Sequence, residues 1–172
     1  MLIVAATERE LAHVRRFDTF CCGIGPVEAA ARTAEALAVR TPDAVIHIGI
    51  AGARAIEPLS LVLGSEAVYE DALDAIGVAR VEPDAGLLAL VHAALPEALV
   101  LPIGTSAKVG GGNGDVEAME GFGVLRACED AGVPAVELRV VSNAIGEADR
   151  AQWRFDEAFA ALAAALQRLD VV

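Results

Sequence analysis

The chain of 172 residues carries 25 acids against 13 bases, a net charge of −12, which argues against nucleic acid or an anionic membrane as a partner. Apolar residues make up 55% and aromatic residues only 4%, which fits a sheet covered by Ala-rich helices and excludes a disordered chain. No apolar run approaches the ~18 residues that span a bilayer, the start lacks the basic stretch of a signal peptide, and Cys21, Cys22 and Cys128 show no metal spacing, so one domain over 1–172 with reduced thiols in a cytoplasm is expected.

In chain order, Leu2 to Ala6 reads as a buried strand. Thr7 and Glu10 fit a capping box, so a helix is expected to start there. Phe17 to Cys22 reads as a strand that ends in Gly23-Ile24-Gly25-Pro26, and Pro26 suits a first helical turn. The helix that follows, to about Val39, is expected to bury Val27, Ala30, Ala31, Ala34 and Leu37 on one face. Ala44 to Ile48 is another apolar strand, closed by a turn at Gly49-Ile50-Ala51-Gly52-Ala53.

Leu61 to Tyr69 and Val78 to Val81 read as strands with a turn between them. Asp84 caps a helix to Leu95, and Leu99 to Ile103 returns to the sheet. Lys108 to Gly114, with four glycines and an asparagine, is the loosest segment. A helix from about Glu120 to Ala131, a strand from Ala135 to Asn143 and a helix from about Phe155 to Leu169 complete the chain. Strands alternating with helices predict an α/β fold, a three-layer sandwich around a mixed, mainly parallel sheet.

The candidate residues gather at strand ends, where open α/β sheets bind ligands. Gly23-x-Gly25 lacks the third glycine of a dinucleotide fingerprint, because Glu28 stands there, and Lys108 precedes its glycines instead of following them as in a P-loop. Neither cofactor motif is met, and no cofactor or metal is implied. Gly49, Ile50, Ala51 and Gly52 bring small residues to a strand end, where backbone N–H groups can approach a ligand. Glu120 stands at a helix start after Met119, in the string Val116-Glu117-Ala118-Met119-Glu120-Gly121. Ser142 and Asn143 end an apolar strand, where turn chemistry alone would explain them. His13, His47 and His92 are scattered, and His47, in mid-strand, reads as a satisfied core histidine.

Met119-Glu120 together with Ser142-Asn143 resembles the nucleoside phosphorylase and nucleosidase superfamily, and Gly23 to Ala30 and Gly49 to Gly52 look like its glycine segments. The resemblance implies that Glu120 accepts hydrogen bonds from ribose hydroxyls, that Met119 packs on the sugar, and that Gly49 to Gly52 line the ribose and base pocket. It implies that Glu10, with Glu8 as fallback, activates the attacking water, that Ser142 and Asn143 meet the base, and that Trp153 and Phe155 close over it. Two departures stand out. Ile50 replaces a hydroxyl residue, and Ala118 stands where adenine-nucleoside hydrolases commonly carry another Glu. Gly110 to Asp115 is short where the family has a longer loop and helix.

The run from Val140 to Trp153, with its Gly146-x-x-Asp149-Arg150-x-x-Trp153 portion, is similar to the futalosine hydrolases of that superfamily. An amide such as Asn143 can accept from N7–H and donate to O6 of hypoxanthine, whereas adenine would set donor against donor. The resemblance therefore implies hydrolysis of futalosine to hypoxanthine and dehypoxanthinylfutalosine in menaquinone biosynthesis, by a cytoplasmic homo-oligomer that acts on a small purine nucleoside. A purine nucleoside phosphorylase, with Arg32 or Arg54 as its anion site, a methylthioadenosine/adenosylhomocysteine-type nucleosidase, and a degenerate nucleoside-binding member are the alternatives.

Overall fold

The computed structural model describes residues 1–12, 14–72 and 79–169. Among these residues there are eight strands: β1 (Leu2–Ala5), β2 (Asp18–Cys21), β3 (Val45–Ala53), β4 (Leu61–Tyr69), β5 (Arg80–Val81), β6 (Leu99–Thr105), β7 (Val116–Ala118) and β8 (Ala135–Ala144). Five α-helices accompany them: α1 (Glu8–Leu11), α2 (Pro26–Val39), α3 (Ala85–Ala94), α4 (Gly121–Ala131) and α5 (Phe155–Leu169).

The sheet is mixed and mainly parallel, as expected. β1 joins β2 and β3 in parallel, as β3 joins β8, β4 joins β6 and β6 joins β7. β7, β5 and β8 run antiparallel to β3, β4 and β4, respectively. Because β8 pairs both β3 and β4, the strands β3, β8, β4, β6 and β7 close into a ring. Bulges in the β3–β8 and β4–β6 ladders supply local bending for that closure.

The two-residue period divides the core cleanly. Ile3 and Ala5, Ile46 and Ile48, and Val136, Leu138 and Val140 pack toward α3 and α5. Leu2, Val4, Val45 and Ala135 face the opposite way, toward α2 and α4. Helices therefore cover both faces, giving the three layers. A third apolar cluster draws side chains from all the strands of the ring, from Ala51 and Val62 to Ile103, Val116 and Val141.

Two local expectations are corrected, and one strand comes without an expectation. First, α2 buries Pro26, Ala29, Thr33, Ala36 and Leu37, not the Val27 face, and Val27 is 77% exposed. The chain of alanines in α2 hardly distinguishes its faces, and close packing on α4 selects the one that fits. A β-carbon at Gly123 of α4 would come within 2.5 Å of the Pro26 carbonyl oxygen. Second, Gly49 to Ala53 forms no closing turn. β3 continues through them because β8 supplies ladder partners as far as Ala144. Val116–Ala118, to which the sequence assigned no element, is a strand, β7, inserted between β3 and β6. Val78, the first residue of the expected Val78 to Val81 strand, and His13 lie outside the described residues. Among the described residues no helix is long and apolar enough to cross a membrane.

Candidate active site

The strand ends of β1, β3, β7 and β8 and the starts of α1, α4 and α5 surround a cavity of about 280 Å³. Its lining includes Glu10, Ile50, Ala51, Gly52, Met119, Glu120, Asn143, Trp153 and Phe155. Of the residues expected at the site, Gly49 and Ser142 do not line it and act one layer back. Glu8 is exposed on the outside of α1 and does not line the cavity.

Glu10 is placed by the capping box. Its backbone N–H donates to the Thr7 hydroxyl, while its Oε2 accepts from Thr7 N at 2.9 Å and from Thr7 Oγ1 at 2.8 Å. One carboxylate oxygen is thus occupied, and Oε1 is left on the side of Gly49 and Arg139. Burial pushes the Glu10 carboxyl above its ordinary range, while Arg139 and the Thr7 hydrogen bonds draw it partly back. The helix-capping role and the candidate base role coexist, because each uses a different oxygen.

Gly49 matters for the space it leaves. A β-carbon there would collide with Arg139 Nη1 and lie 2.7 Å from Glu10 Oε1. The glycine therefore lets a guanidinium pass between the sheet and α1.

Arg139 is the residue that reading the sequence missed. Its side chain is 1% exposed, in the middle of β8. Its Nε donates to Glu137 Oε1 at 2.7 Å, and its Nη2 lies 3.5 Å from Glu120 Oε2. Nη2 also donates to His47 Nε2 at 2.5 Å, and His47 Nδ1 lies 3.1 Å from the Val4 carbonyl oxygen. A carbonyl can only accept, so Nδ1 carries the proton and Nε2 is free to accept from the arginine. Burial holds His47 well below its usual range, with the Arg139 charge adding to the effect, so the ring is neutral. Burial alone would push Arg139 down, but Glu137, Glu120 and Glu10 outweigh it and keep the guanidinium charged. His47 is thus a satisfied core histidine, as expected, but its partner belongs to the site.

Glu120 is the residue before α4, 5% exposed, with Gly25 N donating to its Oε1 at 3.1 Å. That contact joins the expected glycine turn before α2 to the expected carboxylate, 95 residues apart in the chain. The turn needs glycine at 25, where φ is +91°. Glu137 Oε2 has no hydrogen-bond partner and packs where Gly121 has no side chain.

Asn143 is 8% exposed and is set by a bulge. The β3–β8 ladder passes from Ala51↔Val141 to Gly52↔Asn143, leaving Ser142 as the extra residue. The Ser142 hydroxyl donates to Asn143 Oδ1 at 2.7 Å, and Asn143 Nδ2 donates to the Ala144 carbonyl at 3.0 Å. An amide oxygen has two lone pairs and an amide nitrogen two protons, so one acceptor and one donor remain for a ligand. Trp153 donates its Nε1–H to the Glu147 carbonyl at 3.1 Å, and its ring lies 5.4 Å from that of Phe155.

The short glycine segment is anchored. Gly110 N and Gly112 N donate to the two oxygens of Glu117, at 2.5 and 2.8 Å, and Arg54 donates to the carbonyls of Gly112 and Gly114. Val109, just before this segment, and Glu117 of β7, which anchors it, join the cavity wall. Arg54 and Arg32 do not line the cavity, and Arg32 lies over Phe20 and near Glu28. Cys22 is buried below the site, and burial with Glu120 nearby pushes its thiol up to about 12. Among the described residues no cluster of metal-ligating side chains is present.

The missed residues carried one signal. Glu137 and Arg139 stand at i and i+2 in a strand that is otherwise apolar, so both must face the same buried side and find partners there.

Residues 19–111 match the model of the phosphorylase superfamily. A futalosine hydrolase of Streptomyces coelicolor is 35% identical over 189 residues, covering 91% of this chain and 79% of that protein. A solved futalosine hydrolase mutant of Helicobacter pylori superposes with a TM-score of 0.84 at 18% identity, over 99% of this chain and 98% of that one. A Helicobacter pylori nucleosidase with 5′-methylthioadenosine in its active site gives a TM-score of 0.85 at 18% identity, over 99% and 98% of the two chains. The local sequence match, the relative aligned over most of both lengths and the shared three-layer fold agree: the chain belongs to the phosphorylase superfamily.

Proposed function

We propose that this chain is an N-ribosyl hydrolase that cleaves futalosine to hypoxanthine and dehypoxanthinylfutalosine. The reading rests on one observation above others: Glu10, Glu120 and Asn143 line one cavity, in a chain that is 35% identical to a futalosine hydrolase over most of both lengths. Glu120 accepts from the ribose hydroxyls, and Met119 packs on the sugar. As the bond from C1′ to the purine nitrogen breaks, its electron pair leaves with the base and positive charge builds on the ribose. Buried carboxylates beside that charge stabilise it strongly, because little water screens them.

The leaving purine is neutralised by a proton taken up at N7 from solvent, balanced by the proton that Glu10 takes from water and later returns to solvent. Asn143 Oδ1 accepts from that N7–H with its remaining lone pair, and Nδ2 donates its remaining proton to O6. Glu10 takes a proton from water through Oε1, and the hydroxide forms the new bond to C1′. The raised pKa of Glu10 suits this role, since a base close to the working pH transfers protons more effectively than a strongly acidic carboxyl. Arg139 donates toward Glu120, and its charge favours the ionised form of Glu10 that the base role needs.

A cytoplasmic homo-oligomer is the setting that the reading implies. Ile24 and Val109 are exposed apolar side chains on the cavity wall, and Val27 is exposed on the first turn of α2; a second copy covering that edge would bury them. The discriminating experiment is kcat/KM for futalosine, inosine and methylthioadenosine, following the free base. Futalosine is expected to be cleaved best. A preference for methylthioadenosine would instead make the chain an adenine nucleosidase, and no turnover of any would make it a nucleoside-binding member.

A further inference from the structure

Among the described residues the cavity has one exposed cation. Arg9 lines it from α1, beside Glu10 in the chain but on the outer side of that turn, with a side chain 59% exposed. Its guanidinium carbon lies 5.0 Å from the centre of the Phe159 ring and 5.5 Å from that of Phe155. Its hydrogen-bonded partner is Asp156, at 2.7 Å, whose side chain is 91% exposed. A pair this exposed is weak and is readily displaced by a better carboxylate.

Trp153, Phe155 and Phe159 form a row, with ring centres 5.4 and 6.2 Å apart. The chain holds only seven aromatic side chains, so three in one row on a single cavity is a concentration. The row begins at the base end, because Arg154 N donates to the Ser142 carbonyl at 2.9 Å. It ends one helical turn further on, at Phe159 under Arg9. The remaining charges of the cavity are carboxylates and Arg139, which is already held by Glu137, Glu120 and His47. An anionic substrate would be repelled by that wall unless a separate cation received its charge.

We propose that Arg9, braced on Phe155 and Phe159, binds a carboxylate on the group the substrate carries at ribose C5′, and so selects nucleosides extended there by an anionic aryl substituent. The inference rests on the hydrolase reading above and names the residue that holds the 5′ group, to which that reading assigns none. An aryl ring packs along the aromatic row, and its carboxylate exchanges with Asp156 for the guanidinium fork. Futalosine, whose 5′ extension ends in an aryl carboxylate, has this chemistry.

The test compares futalosine with its methyl ester, which keeps the base, sugar and ring and loses only the charge. The wild type is expected to favour the acid by about tenfold or more in kcat/KM, chiefly through KM. Arg9→Gln should bring that ratio toward one, and Arg9→Lys should keep part of it. Equal use of acid and ester by the wild type would overturn the proposal, as would an unchanged ratio in Arg9→Gln. A proportional loss on both substrates would make Arg9 a brace for α1, and a phosphate-dependent rate lost in Arg9→Gln would make it a phosphate site; either overturns it. Failure of the hydrolase reading looks different: the wild type would cleave neither acid nor ester, and both claims would fall together.

Discussion

The two sides of the cavity are built from different materials. The inner side rests on a buried network at the sheet and the start of α4: Arg139 reaches Glu137, His47 and Glu120 through contacts of 2.5 to 3.5 Å. The outer side is short helix and turn: Arg9, Trp153 and Phe155 are held by ring contacts and by one exposed ion pair. Removing Arg139 leaves buried acids without their cation, whereas a residue on the outer side can change without that penalty. The inner side therefore suits steps common to every substrate, the sugar and the water. The outer side suits the part of the substrate that differs between relatives.

The largest expected effect tests the inner set. Arg139→Met should cost about 3–5 kcal/mol of stability in urea unfolding, because Glu120 and Glu137 are left as buried carboxylates without their cation. Combining it with Glu137→Leu should recover part of that loss. A single variant within about 1 kcal/mol of wild type would show that the network is dispensable. Glu120→Gln should keep the fold, since an amide oxygen can still accept from Gly25 N, but lose on the order of 10²-fold in turnover. Wild-type turnover would reduce Glu120 to a helix-end charge.

Asn143→Asp probes the base side. The wild type should favour futalosine over the 6-amino counterpart with the same 5′ group, and the variant should narrow or reverse that preference by an amount equivalent to ~1–3 kcal/mol. Unchanged selectivity would mean that the base is chosen elsewhere. The smallest effect is a shift in pH dependence. Glu10 must be ionised to accept a proton, and its pKa is raised by burial, so kcat/KM should fall with decreasing pH above the ordinary glutamate value of 4.5. Thr7→Val removes a hydroxyl that favours the ionised form, so the acid limb should move further up in pH. A limb at or below the ordinary value would contradict the assignment of Glu10.

Much of this was legible in the sequence because local chemistry decided it. Thr7 and Glu10 stand at capping-box spacing, Asp84 precedes an apolar helix, and Leu2 to Ala5 alternates between two cores; each fixes its own element. What was not legible depended on partners distant in the chain. Gly49 to Ala53 is strand because β8 and, at its end, β7 lie beside it, and Val116–Ala118 is strand because β3 and β6 flank it. The face of α2 was misread because alanines give little amphipathic contrast, and the choice fell to contact with α4. The candidate acids and amide could be named from their motifs, but Arg139 could not be given its role. Its importance lies in reaching Glu120 and His47, 19 and 92 residues away.

Hydrolysis with water as the nucleophile is the central claim, and one product measurement tests it. Futalosine is incubated with the enzyme in phosphate-free buffer made with ¹⁸O-labelled water, and the sugar product is weighed by mass spectrometry. The account predicts full turnover without phosphate, free hypoxanthine, and one labelled oxygen in dehypoxanthinylfutalosine. Turnover that begins only when phosphate is added, with a sugar 1-phosphate as product, would contradict it.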